Sequence, residues 1–100
     1  MKLTELAKVI RSKNAGPLHL TLDLMFADRN GFEMARQSPA MSQARIAALY
    51  GVAVDTVSIV PFAAALAIKV SIDRPIIAGT PGDSDVFGAQ QHKPLLEVEI

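Results

Sequence analysis

The chain has 100 residues, half of them apolar, with ten basic and ten acidic residues that cancel. That length suits one domain spanning residues 1–100, the apolar half can fill a core, and disorder is excluded because low hydrophobicity and high net charge are both absent. A neutral chain with one Tyr and no Trp has neither the basic face nor the stacking aromatics of a nucleic-acid binder, and a chain without cysteine forms no disulfide, thiolate nucleophile or Cys-based zinc site.

Leu3, Leu6 and Ile10 recur at helical spacing, with Val9 beside them. Thr4 fits an N-cap and Glu5 a first turn, so the pattern predicts a short helix over about residues 4–11. Met1-Lys2-Leu3-Thr4-Glu5 lacks the charged-then-apolar pattern of a secretory leader. No run reaches the eighteen or so apolar residues of a membrane span. A soluble cytoplasmic protein is the expectation.

Gly16-Pro17 stops the helix, since proline pushes the residue before it away from helical geometry. Leu18, Leu20, Leu22, Leu24 and Phe26 then alternate with His19, Thr21, Asp23 and Met25. Strict period two predicts a strand with one buried face. Asp28-Arg29-Asn30-Gly31 reads as a turn. A brief helix follows to Gln37, with Asn30 and Glu33 as a capping box and Ser38-Pro39 as its end.

Ser42 caps the next helix. Met41 and Ile46 are spaced for a hydrophobic staple, Ile46, Leu49 and Tyr50 form an apolar stripe, and Gly51 fits the C-terminal cap. Val57 to Val60 reads as a strand with Pro61 at or beyond its end. Ala63 to Ala65 link it to a second alternating strand, Leu66 to Asp73. Arg74-Pro75 breaks that strand, and Gly79 to Asp85 is a turn-rich loop. Leu96, Val98 and Ile100 alternate with Glu97 and Glu99, which predicts that the chain ends in a strand. The order α, β, α, α, β, β, loop, β predicts an α+β fold. It is a two-layer sandwich of a mainly antiparallel sheet with helices on one face, of which a ferredoxin-like arrangement is one form.

Two polar segments carry candidate ligand residues. Arg11, Ser12, Lys13, Asn14 and Gly16 combine a bidentate fork, a point charge and a glycine that lets backbone N–H groups approach an anion. The same cations also fit a plain helix C-terminus, where they offset the dipole. Asp83 and Asp85 sit two apart like oxygen ligands of a calcium loop, but the rest of that pattern is missing, and turn-capping serves equally. Gln90, Gln91 and His92 form a polar triplet in which His92 is a candidate general base. His19 and Asp23 share a strand face. If Lys69 faces them, the three make a proton-transfer group with Asp23 as base; a solvated face explains them as well. No spacing demands a metal, no cofactor fingerprint is present, and neither is expected.

The segment Val9-Ile10-Arg11-Ser12-Lys13-Asn14-Ala15-Gly16-Pro17 with the following Leu-Thr-Leu-Asp resembles the start of a small bacterial family, domain of unknown function 4387. The resemblance runs on through Ala48-Leu49-Tyr50-Gly51-Val52 and Ala65-Leu66-Ala67-Ile68-Lys69. It is strongest again in Arg74-Pro75, in Gly82-Asp83-Ser84-Asp85-Val86 and in Gly88-Ala89-Gln90-Gln91-His92-Lys93-Pro94-Leu95-Leu96. It implies a small protein encoded beside, or fused to, a larger protein similar to AtuA, the acyclic terpene utilisation protein. It also implies a neighbourhood of organic-acid and CoA-ester catabolism. The expectation is an accessory subunit that docks on the AtuA-like protein and helps bind an anionic small molecule, in a complex of lyase or hydratase type. A self-sufficient small enzyme acting on a carboxylate and a non-catalytic homo-oligomeric ligand-binding module are the alternatives.

Overall fold

Two strands with alternating side chains make the centre of the molecule. In the computed structural model, which describes residues 1–15, 18–73 and 93–100, β2 (His19–Phe26) pairs antiparallel with β4 (Ala67–Asp73). Leu20 lies opposite Ile72, Leu22 opposite Val70 and Leu24 opposite Ile68. All six are fully or almost fully buried. Because side chains alternate across a strand, this register sends these six residues to one face and leaves Met25 on the other. β1 (Ala7–Asn14) adds to the free side of β2, and β3 (Ser58–Phe62) to the free side of β4. The sheet order is β1-β2-β4-β3, and every neighbouring pair is antiparallel.

The helix expected over residues 4–11 is one turn only, α1 (Leu3–Leu6). Ala7 to Asn14 is strand instead. An isolated eight-residue helix is marginal in water, whereas the edge of β2 offers a ladder of backbone hydrogen bonds. Leu3 is anchored in the core. A register shift between Ala7 and Val9 then carries the chain from the helical turn into that ladder.

The first long helix, α2 (Arg29–Gln37), is capped by Asp28 rather than Asn30. The Gly31 N–H donates to Asp28 Oδ1 at 2.7 Å. A β-carbon on Gly31 would sit 3.3 Å from that oxygen, so the cap is tight against a residue without one. Phe32 and Ala35 face the core, and the Phe32 ring meets Phe26 edge-on at 6.1 Å. Arg36 and Gln37 donate to Glu33 on the outer face, and Arg36 above all holds that carboxyl below its ordinary range.

The second, α3 (Gln43–Tyr50), starts as expected: Ser42 accepts from the Arg45 N–H at 3.2 Å, and Met41 and Ile46 are both buried. It ends at Gly51, whose φ of 67° lies in the left-handed region. Its buried stripe is Ile46, Ala47 and Tyr50, with Leu49 41% exposed. The Gln43 amide donates to the Val57 carbonyl at 2.6 Å and ties α3 to the approach to β3. Pro61 lies inside β3 rather than beyond it. An edge strand tolerates the missing donor.

The expected terminal strand is replaced by a 3-10 turn over Lys93–Glu97 and one bridge, Lys2 to Glu99. Leu95, not Leu96, enters the core. Pro94 has no N–H for a ladder, and the backbone bonds go to the other terminus: Leu3 N–H to Val98 O at 2.9 Å and Ile100 N–H to Met1 O at 2.8 Å. The fold is the α+β two-layer arrangement expected. Its connectivity among the described residues is two hairpins flanking a helical pair, in place of the β-α-β-β-α-β order of a ferredoxin-like domain. No helix of the described residues is long and apolar enough to cross a membrane.

Candidate functional site

The helices cover one face of the sheet. The other face carries the side chains that alternate away from the core, and the register sorts them into rows. Lys13, Thr21, Ser71 and Ser58 form one row across the four strands; Arg11, Asp23, Lys69 and Val60 form the next; Val9, Met25, Ala67 and Phe62 form the third. The face therefore runs from hydroxyl-rich, through charged, to apolar.

The charged row is the chemically distinctive one. Arg11 Nε lies 3.4 Å from Asp23 Oδ2, with the Arg11 side chain 59% and the Asp23 side chain 17% exposed. Contact through Nε leaves the terminal nitrogens of the fork free of Asp23, and those are the donors that grip a carboxylate or phosphate in two places. Lys69 flanks Asp23 from the opposite strand and Lys13 lies one row away. Neither makes an ion pair among the described residues. One half-buried carboxylate thus pairs with Arg11, and two further cations, Lys69 and Lys13, lie on the same face. Such a group carries more positive than negative charge and suits an anionic ligand.

Asp23 and Lys69 come together as the shared-face expectation required. His19 does not join them: four residues up the same strand it is about 13 Å away. It pairs instead with Asp73, Nδ1 to Oδ1 at 3.3 Å, both side chains about half exposed. The segment read as one anion loop is split by strand alternation. Arg11 and Lys13 point to the uncovered face, while Ser12 is buried on the core face and Asn14 half-buried beside it. The competing reading of these cations as a helix C-terminus is overturned, since the helix ends at Leu6. Gly16, Asp83, Asp85, Gln90, Gln91 and His92 lie outside the described residues. Among those described, no three His, Cys, Asp or Glu side chains cluster as a metal site.

Val60 and Phe62 were not singled out from the sequence, yet they are 41% and 49% exposed on this face. The signal was their spacing of two in Ser58–Phe62, hidden by Pro61 between them. On the other side of the molecule a groove of about 210 Å³ is lined by Ala40, Arg45, Leu49, Val98 and Glu99. It is smaller than the roughly 300 Å³ at which ligand cavities begin.

No curated protein and no solved structure matches the chain. One family model does, described as Domain of unknown function (DUF4387), over residues 3–99. That match spans nearly the whole sheet, both hairpins and the helical pair, so the chain belongs to the DUF4387 family.

Proposed function

We propose that this chain is a cytoplasmic accessory subunit that docks on an AtuA-like larger protein and supplies part of its site for an organic acid or a CoA ester. The complex would be of the lyase or hydratase type. The observation that carries this reading is the Arg11–Asp23 pair with Lys13 and Lys69 beside it on a face that the helices leave open. It has donors for an anion, and no helix of the described residues lies opposite them. An exposed cation cluster holds a small anion weakly, because water and salt screen it. The same cluster closed against a second protein would hold it far more firmly.

The test is co-expression with the AtuA-like protein, followed by native mass spectrometry of the complex and carboxylate binding to it. A stable heteromer is expected. Within it, Arg11→Ala should weaken carboxylate binding by at least about 1.5 kcal/mol, the low end for a charged hydrogen bond. Unchanged affinity would remove Arg11 from the site, and failure to form the heteromer would remove the accessory role.

A further inference from the structure

The three rows of the uncovered face have a symmetry that the sheet order creates. The strands run β1-β2-β4-β3, so a two-fold axis parallel to the strands, placed over the boundary between β2 and β4, turns the face onto a second copy of itself with each row kept in register. Asp23 then lies over the copy's Lys69 and Lys69 over its Asp23. Val9 lies over Phe62, and Met25 over Ala67. Lys13 meets Ser58 and Arg11 meets Val60. Thr21, 5% exposed with its hydroxyl on the Lys13 carbonyl, adds no contact of its own. The match is therefore between opposite charges at the centre and apolar residues in the third row.

The alternatives to face-on-face pairing are blocked at the sheet edges. β3 has Pro61 within it, and β1 carries a register shift next to exposed Lys8 and further exposed cations at Arg11 and Lys13. Proline, irregular register and charge are the features that stop a strand edge from recruiting another strand. A near-zero net charge leaves little long-range repulsion between copies.

We infer that the sheet face opposite the described helices is the contact between two copies of this chain, stacked about a two-fold axis along the strands, with Asp23 of each copy paired to Lys69 of the other. Stacked sheets lie about 10 Å apart, a gap that a lysine and an aspartate span together. Four strands about 4.8 Å apart and three rows about 7 Å apart cover about 400 Å². That is half the roughly 800 Å² per partner of a standard interface, so the dimer is concentration-dependent. Lys13 stays at its rim on the outer strand, and because the dimer covers the face on which the accessory-subunit reading seats the larger protein, a chain in the homodimer is not in the heteromer.

Sedimentation of the full chain over a concentration series tests this. The wild type is expected to pass from monomer to dimer. Phe62→Asp and Lys69→Glu should each raise the dissociation constant at least about tenfold, which is 1.4 kcal/mol. Leu49→Asp, on the helical side, should leave it unchanged. Mixing the Lys69→Glu chain with an Asp23→Lys chain restores both cross-copy pairs and should yield the heterodimer, seen by mass, where neither variant pairs with itself. A wild type that stays monomeric up to its solubility limit overturns the inference. So does a dimer that survives both face variants, or a mixture that gives no heterodimer.

Discussion

Tyr50 shows how one buried side chain couples this fold to pH. It closes the α3 stripe, 9% exposed, and burial pushes its phenol above the ordinary range. The folded state therefore keeps the proton that the unfolded chain gives up near pH 10. The stabilising contribution is complete below that pH and is lost as the pH rises toward the folded value. Tyr50 is the only tyrosine and there is no Trp, so ultraviolet absorbance follows it alone. The phenolate band should appear together with the loss of helical circular dichroism, in one step above about pH 10. Tyr50→Phe should move the alkaline unfolding midpoint upward. A phenolate band that grows in while the fold is intact would show that the ring is accessible to water.

At the scale of elements, α2 and α3 depend on caps more than on propensity, since each is short. Asp28 accepts at 2.7 Å from the Gly31 N–H, and Ser42 at 3.2 Å from the Arg45 N–H. Asp28→Ala should lower stability by about 1 kcal/mol, with Asp28→Asn keeping most of it. Urea unfolding measures the difference, and equal midpoints for the wild type and the alanine variant would show that the cap bond contributes nothing net. Ser42 was legible as a cap because Met41 and Ile46 bracket it with a staple. Asp28 was not, because Asn30 and Glu33 offered a competing capping box two residues along. β1 is the larger lesson. Leu3, Leu6, Val9 and Ile10 satisfy helical spacing, yet seven residue pairs tie Ala7–Asn14 to β2. Local periodicity carries no information about a neighbour that arrives from elsewhere in the chain.

Across the whole molecule the two termini close the core. Leu3 and Leu95 are both fully buried, and backbone bonds join Leu3 to Val98 and Ile100 to Met1. Leu95→Ala should cost about 2–5 kcal/mol, a large share of the 5–15 kcal/mol that holds a domain together. Leu96→Ala, at a position 36% exposed, should cost much less. Similar losses at the two positions in chemical denaturation would mean that the terminal strand expected from Leu96, Val98 and Ile100 forms after all.

By itself the sequence determined β2, β4 and α3, the α+β class, and the residues Arg11, Lys13, Asp23 and Lys69 as groups of interest. Each of these rests on contacts between near neighbours in the chain: alternation along a strand, a cap and staple around a helix, side-chain chemistry. Tertiary structure alone decided that Ala7–Asn14 is a strand and that Leu95 rather than Leu96 is core. It also decided that Arg11 faces Asp23 while Ser12 faces the interior. Those outcomes turn on which strand edge is vacant and in what register it is filled, and a strand shifted by one residue presents its opposite face.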